Sequence, residues 1–424
     1  MNNAARIKAD IDILEKIEAS RIPMDATIGD YMRHRRYIGA KDRADIVERV
    51  YRIMRARARL NWHMERAGAS DTPRLRMMAW LALGEGKNAA EIEALFDGSQ
   101  YGPATLLEGE KKFSFAGTLD DPAMPEAVRA ECPPHHEQTL RTYLGTDFEE
   151  EMKALLPAAT LDLRVNIHAI SREEAQKSLA KDGVETDIVP YSPWGLRARS
   201  KAFLSKTKAF VKGHVEIQDE GSQLIAHICD VKPGMQVLDY CAGAGGKTLA
   251  LAAAMNCKGR IVAMDNEPSR LEKGRQRFRR AHVSDIIEIR PLTDDKNRKW
   301  MKRQKGTFNV VLVDAPCSST GTWRRNPDLR WRSFGPTIEE LITIQAEILD
   351  KVAKCVKPGG KLVYATCSLL PDENERQIEK FLAAHPDFSL FEPENVPHDN
   401  GYMRLTPRRH NTDGFFAAAL VKSA

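Results

Sequence analysis

Two cysteines stand where chemistry is easiest to place, each just past the carboxyl end of an apolar strand-like run. Phe308 to Val313 leads into Asp314-Ala315-Pro316-Cys317-Ser318-Ser319-Thr320-Gly321, and Gly359 to Ala365 leads into Thr366-Cys367-Ser368. An enzyme that methylates an amino group would put an aromatic residue after Pro-Pro at the first position, and here there is a thiol. Two thiols beside the carboxylate of Asp314 suit a harder reaction. Carbon 5 of a pyrimidine is a poor nucleophile, but a thiolate added to carbon 6 turns it into an enamine that can attack a methyl sulfonium. A base must then remove the C5 proton so that the thiol can leave. An unperturbed thiol of pKa near 8.5 is only about 3% ionised at pH 7, a handicap of roughly 2 kcal/mol that a nearby cation such as Lys247 reduces. The competing account is two unrelated core cysteines at adjacent strand ends, since a free cysteine packs as a small buried hydrophobe.

A third strand end carries glycines. Val237-Leu238-Asp239-Tyr240 runs into Cys241-Ala242-Gly243-Ala244-Gly245-Gly246-Lys247-Thr248, a turn that opens a helix and lets a ligand approach the backbone. A Walker A loop needs glycine five positions before Gly-Lys-Thr, where Cys241 stands, although Val310 to Asp314 resembles a Walker B strand. A dinucleotide fingerprint starting at Gly243 needs glycine or alanine where Thr248 stands. S-adenosylmethionine is the remaining candidate. It accounts for Asp265, which ends the strand Arg260 to Met264 about 26 residues after Asp239, where a ribose diol would lie. The alternative for Asp265 is an N-cap for the helix beginning at Pro268.

These strand ends need a frame to hold them. The runs Gln236–Asp239, Arg260–Asp265, Asp285–Arg290, Phe308–Asp314 and Lys361–Ala365 alternate with helical stretches from Lys247, from Pro268 and over Ile338–Val356. Such alternation predicts an α/β, doubly wound parallel sheet that binds ligands at the carboxyl ends of its strands. Ahead of it, Leu163–Ile167, Val184–Val189 and Gly195–Ala198 surround a helix over Ser171–Lys181, which implies a small α+β unit. Helical spacing from Ala4 to Phe96, as in Ile46, Val47, Val50, Tyr51 and Met54, predicts an all-α bundle. The proline-rich stretch from Tyr101 to Pro134 reads as a linker. The expected boundaries are 1–110 for the bundle, 111–158 for the linker, 159–215 for the α+β unit and 216–424 for the α/β domain.

At 424 residues, with 42% hydrophobic and 29% charged, the chain is expected to be a soluble globular protein of two or three domains. No apolar run is long enough for a membrane span and the first twelve residues lack a signal-peptide core, so a cytoplasmic protein is expected. Seven cysteines without a CxxC pair argue against a disulfide framework or a structural zinc site. The net charge of +5 is unevenly spread. Arg270 to Arg332 holds 17 Lys and Arg against 7 acids, and residues 1–80 hold 17 against 11. The second group centres on Arg33, Arg35, Arg36, Arg49, Arg52, Arg55, Arg57 and Arg59. Such runs are either solvated helix faces or phosphate contacts.

Taken together, Asp-Tyr-Cys-Ala-Gly-Ala-Gly-Gly-Lys-Thr at 239–248, Asp-Ala-Pro-Cys-Ser-Ser-Thr-Gly at 314–321 and Ala-Thr-Cys-Ser-Leu-Leu-Pro-Asp-Glu-Asn-Glu at 365–375 resemble the Sun-type RNA cytosine-5 methyltransferases, whose bacterial members modify ribosomal RNA. Gln218 to Gln223 and Asp413 to Phe416 look like flanking motifs of that family, so the resemblance covers roughly residues 160 to 420. It implies a Rossmann-like methyltransferase domain, with Leu163 to Asn166 opening a small RNA-recognition-like subdomain. It implies Cys367 as nucleophile, Cys317 as the group assisting release, and Asp314 holding the pyrimidine. It places S-adenosylmethionine on Cys241, Ala242, Gly243, Ala244, Gly245, Gly246 and Lys247, with Asp265 on the ribose, Asp314 nearby and Asp294 (Asp295 as fallback) near the adenine. Gly243-Ala244 departs from the family's Ala-Pro. The bundle, with Lys41-Asp42-Arg43 ahead of Val50 to Arg55, looks like a diverged form of the helical RNA-binding domain related to the antitermination factor NusB.

The expected partner is therefore RNA, ribosomal RNA first, with the protein a monomer away from membranes. Trp323-Arg324-Arg325-Asn326-Pro327-Asp328-Leu329-Arg330-Trp331 interleaves aromatic and basic residues as a single-strand-binding loop would. The alternative is that its tryptophans plug a sheet edge. Other readings of the whole chain are a transfer RNA methyltransferase, an inactive ribosome-assembly binder and a P-loop triphosphatase.

Overall fold

Residues 1–424 are all described in the computed structural model. They divide into two compact units, Met1–Pro157 with Trp323–Gly335 and Ala158–Thr322 with Pro336–Ala424. No helix is long and apolar enough to cross a membrane.

The first unit is helical. Its opening helices are α1 (Asn3–Ala19), α2 (Met24–His34), α3 (Ala40–Arg55), α4 (Arg57–Arg66), α5 (Pro73–Leu83) and α6 (Ala89–Leu95). Apolar residues three and four apart turn to one side, so that Ile13, Leu14 and Ile17 of α1 and Ile46, Val50 and Ile53 of α3 are fully buried in one core. Local chemistry starts the helices. Asn2 caps α1, Thr72 caps α5 with Pro73 in its first turn, and Asn88 with Glu91 forms a capping box on α6.

Two sequence expectations fail here. The unit does not stop at residue 110: the segment read as a 111–158 linker holds helices Pro134–Leu144 and Phe148–Ala154, whose Leu140, Phe148 and Met152 are buried. Pro133 and Pro134 occupy the cap and first turn of a helix, where a missing N–H costs nothing. Nor is Trp323–Trp331 an exposed binding loop. Trp323 is 0% exposed, with the Arg330 guanidinium 4.9 Å from its ring centroid, and Trp331 packs on the helical core.

The arginines of this unit also divide. Arg49 pairs with Asp10 and Glu85, Arg59 with Glu131 and Asp120, and Arg57 with Asp71, while Arg55 donates to the Arg324 carbonyl. Those four serve the interior of the bundle. Arg52 pairs with Glu48 on the surface, and Arg35 lies over the Tyr31 ring. Arg33 and Arg36 are exposed beside the exposed Tyr37.

The second unit contains two sheets. Strands β1 (Asp162–Val165), β2 (Thr186–Ile188), β3 (Gly195–Ala198) and β4 (Val215–Ile217) form an antiparallel sheet in the order β2-β3-β1-β4, with helix Arg172–Lys181 packed on it. The larger sheet is built from β5 (Gln236–Asp239), β6 (Arg260–Asp265), β7 (Ile287–Pro291), β8 (Phe308–Asp314), β9 (Val356–Thr366), β10 (Phe388–Phe391), β11 (Tyr402–Leu405) and β12 (Phe415–Lys422). Its order is β10-β12-β9-β8-β5-β6-β7, with β11 paired to β12. Strands β5 to β9 pair in parallel and β12 runs antiparallel to β9.

The chain leaves β5 towards β6 and β7, then crosses back to β8 and β9, so the strand order reverses between β5 and β8. Ligands of doubly wound sheets bind at that switch. The antiparallel strands β10 to β12 were not read from the sequence. In β12, residues Phe416 to Leu420 are buried on both faces, and such a run carries no alternation to mark it.

Candidate active site

Three turns follow β5, β8 and β9 at the same edge of the sheet. After β5 the chain makes a glycine turn with Gly243 and Gly245 in the left-handed region, at φ 57° and 77°. A Cβ on Gly245 would lie 2.4 Å from the Phe278 ring, and one on Gly243 would displace the Arg270 guanidinium, whose Nη2 lies 2.6 Å away. The turn is fastened on both sides. Ala242 N donates to the Met264 carbonyl at 2.9 Å, and Arg277 Nη1 donates to the Ala244 carbonyl at 2.7 Å. Gly246 begins helix Gly246–Ala254, and Cys241 sits among apolar side chains, where burial pushes its thiol well above the ordinary range.

Asp265 ends β6 and holds this turn. Its Oδ2 accepts from Gly243 N at 2.7 Å and its Oδ1 from Glu267 N at 2.8 Å, while the helix at Pro268 has no side-chain cap. A carboxylate has about four acceptor sites, so two remain for a diol. Asp239, at the end of β5, is fully buried; burial raises its carboxyl to about 7, Thr248 Oγ1 donates to Oδ2 at 2.7 Å, and Oδ1 has no partner. Asp294 is exposed and caps helix Asp295–Lys302 through Oδ1, and Asp295 pairs with Arg298. A left-handed glycine turn, a strand-end carboxylate and an unpartnered buried acceptor fit a nucleoside-bearing cofactor. The residues present suit S-adenosylmethionine.

The two thiols meet across the neighbouring strand ends. Residues Val310 to Asp314 of β8 pair in register with Lys361 to Ala365 of β9, which brings Cys317 Sγ and Cys367 Sγ to 3.5 Å. Ser319, with φ 58°, places its Oγ 3.4 Å from Cys367 Sγ. That left-handed backbone costs a non-glycine residue roughly 1–2 kcal/mol. On the other side, Lys247 Nζ pairs with Asp314 Oδ2 at 2.7 Å. Burial alone would lower the Lys247 ammonium; the Asp314 carboxylate overrides it and holds the charge in place.

The thiols are driven apart in acidity. Hydrogen bonding with Cys317 and with Ser319, with the field of Lys247, holds Cys367 below the ordinary thiol range against burial and the field of Asp314. The same hydrogen bond to Cys367, then burial and the field of Glu373, push Cys317 well above it. The arrangement can therefore supply one thiolate and one thiol at a single point.

The sequence reading assigned Cys317, Cys367, Asp314 and Lys247, and the structure brings these four together. It assigned nothing to Arg270, Arg277 or Ser319. Glu373 and Ser318 lay inside quoted motifs without a role, and their types alone do not reveal what they touch.

A parallel α/β sheet reversing between β5 and β8, a glycine turn at the first strand end and an acid at the second define the S-adenosylmethionine-dependent methyltransferases of the doubly wound class. Residues 226–421 match the family model described as 16S rRNA methyltransferase RsmB/F. The ribosomal RNA small subunit methyltransferase B of Photorhabdus laumondii is 31% identical over 76% of this chain and 76% of its own length, and the chain belongs to this family. A probable ribosomal RNA small subunit methyltransferase B of Synechocystis sp. is 36% identical over 62% of this chain, which spans 60% of that relative's length. The solved structure of PH0851 aligns with 100% of this chain and 99% of its own at a TM-score of 0.77 and 27% identity.

Proposed function

We propose that this protein methylates carbon 5 of a cytosine in small-subunit ribosomal RNA, in the cytoplasm and as a monomer, with Cys367 as the nucleophile. The observation that carries this reading is the 3.5 Å separation of Cys317 and Cys367 beside the Lys247–Asp314 pair. The Cys367 thiolate adds to carbon 6, forming the S–C6 bond and moving the C5=C6 electrons to carbon 5. S-adenosylmethionine, when bound, supplies the electrophilic methyl group that carbon 5 takes. In the second half a base takes the C5 proton, the C–H electrons reform the C5=C6 bond and the S–C6 pair returns to Cys367 as thiolate; Cys317 assists this release.

Asp314, anchored by Lys247, holds the pyrimidine edge at the sulfurs. The turn from Cys241 to Lys247 and the carboxylate of Asp265 hold the methyl donor, with Asp294 at the adenine and Asp295 as the alternative. Arg33 and Arg36, exposed on the helical unit, contribute phosphate contacts, which are sequence-independent and salt-sensitive.

A small-subunit rRNA transcript containing 5-fluorocytidine tests the chemistry, because fluorine on carbon 5 blocks the final elimination. With S-adenosylmethionine, the wild-type protein is expected to form a complex that survives denaturing electrophoresis, and Cys367→Ala is expected to form none. Methylation of the unmodified transcript without any adduct on the fluorinated one would reject the covalent route. Bisulfite sequencing of RNA from a deletion strain locates the target; a lost signal in transfer RNA alone would change the substrate.

A further inference from the structure

Glu373 follows Cys367 by six residues, in the turn Pro371–Glu373, and is 0% exposed. No cation pairs with it. Its Oε1 accepts from Ser318 N at 2.8 Å and from Gln345 Nε2 at 3.0 Å, and its Oε2 accepts from the hydroxyls of both Ser318 and Ser368. Ser318 is the residue after Cys317, and Ser368 is the residue after Cys367. Gln345 Nε2 also donates to the Pro316 carbonyl at 2.9 Å, so the turn before Cys317 is held by the same group of side chains. The backbone completes the join, with Gly321 N donating to the Cys367 carbonyl at 2.9 Å and Leu369 N to Thr320 Oγ1 at 2.8 Å.

A buried carboxylate held only by neutral donors is costly unless each acceptor site is filled, and here all four donors come from residues that fix the two thiol-bearing turns. We propose that Glu373 is a positioning residue for the thiol pair: its carboxylate ties the turn after β8 to the turn after β9, sets the approach of the two sulfurs and, by its charge, keeps the shared proton on Cys317. Glu373 adds its negative field to Cys317 with no cation beside it, whereas at Cys367 the negative field of Asp314 is opposed by that of its partner Lys247. Without Glu373 the preference for Cys317 as the protonated sulfur would weaken, leaving Ser319 and Lys247 to favour Cys367 as the nucleophile.

The inference rests on Cys367 as nucleophile, but its test uses neither RNA nor turnover. Iodoacetamide labelling across pH, with the Cys317 and Cys367 peptides quantified by mass spectrometry, reads which sulfur is ionised in the full chain. Wild type is expected to label first at Cys367. Glu373→Gln keeps the side-chain volume and removes the charge; the Cys367 to Cys317 labelling ratio is expected to fall about tenfold, the change that one pKa unit produces. Binding of S-adenosylhomocysteine, measured by calorimetry, is expected to stay as in wild type. A Glu373→Gln protein that binds S-adenosylhomocysteine and keeps the wild-type ratio overturns the proposal. If that variant fails to bind, Ser318→Ala decides in its place, with an expected fall of roughly two- to fivefold for one lost hydrogen bond; an unchanged ratio there overturns it equally. Cys367→Ala with normal turnover would reject the reaction scheme and leave the labelling result standing.

Discussion

The turns after β8 and β9 carry the same functional atom at the same edge of the same sheet, and their surroundings give it opposite characters. Around Cys367 lie the Cys317 thiol, the Ser319 hydroxyl and the Lys247 cation with its partner Asp314. Around Cys317 lie the Cys367 sulfur and Glu373, an acid with no cation beside it, against one backbone donor at Ser319. A second difference is where each chain goes next. The turn after β9 stays in its own unit, whereas the turn after β8 runs on into Trp323–Gly335, a segment of the helical unit. A thiol's role is thus set by its neighbours' charges and by what its loop is tied to, since the sulfur and its strand are alike in both places.

Exchanging the sulfurs is the hardest test of that contrast. Cys367→Ala is expected to lower turnover by about 10³-fold or more, as loss of a nucleophile does. Cys317→Ala is expected to leave attack and methylation possible but to accumulate a denaturation-resistant RNA complex. A trapped complex in Cys367→Ala with none in Cys317→Ala would reverse the roles.

Removing residues 1–157 probes the second difference. Trp323 would lose its covering, a loss of roughly 3–5 kcal/mol for a buried tryptophan side chain. Hydrogen exchange is expected to show amides of 323–330 losing protection while 366–370 keep theirs. Equal protection in both segments would show that residues 1–157 do not hold Trp323–Gly335 in place.

Lys247→Met should narrow the acidity gap. Lys247 lowers the Cys367 thiol, so its loss raises that pKa and moves the rising limb of the pH–rate profile to higher pH. Turnover at pH 7 is expected to fall by roughly 10- to 100-fold, as when a charge-assisted contact of about 1.5–3 kcal/mol is lost. Asp314→Asn acts with the opposite sign on the sulfur, because the Asp314 carboxylate raises Cys367. Iodoacetamide labelling of Cys367 should speed up a few-fold while methylation slows roughly tenfold, through loss of one charged hydrogen bond to the base. Labelling and methylation that move together would place Asp314 outside base recognition. The smallest effect belongs to Ser319→Ala, which removes one neutral donor to the thiolate and should cost about two- to fivefold in labelling and turnover alike.

Much of the site was written locally. Strands β6 and β8 and the starts of the helices at Gly246 and Pro268 follow from apolar runs, glycines and a first-turn proline, all of which act within a few residues. Cys317, Cys367 and the turn from Cys241 to Lys247 stand at strand ends, so a parallel sheet had to gather them at one edge. The small α+β unit was also legible, because Ser171 with Glu174 forms a capping box ahead of its helix.

Sequence alone therefore determined which residues reach the active edge, since the alternation of strand and helix fixes the end at which every turn emerges. Tertiary structure decided what each residue does there. Arg59 meets Glu131 from 72 positions away, which turns a basic helix face into a buried ion pair. Trp323–Gly335 looks like an exposed aromatic and basic loop until the bundle that encloses it exists. Glu373 becomes a clamp because folding brings Ser318, 55 positions away, within hydrogen-bond reach. Long-range pairs leave no periodicity or spacing in the chain; only the packed core sets their distances, and through distance and burial it sets which cysteine holds the proton.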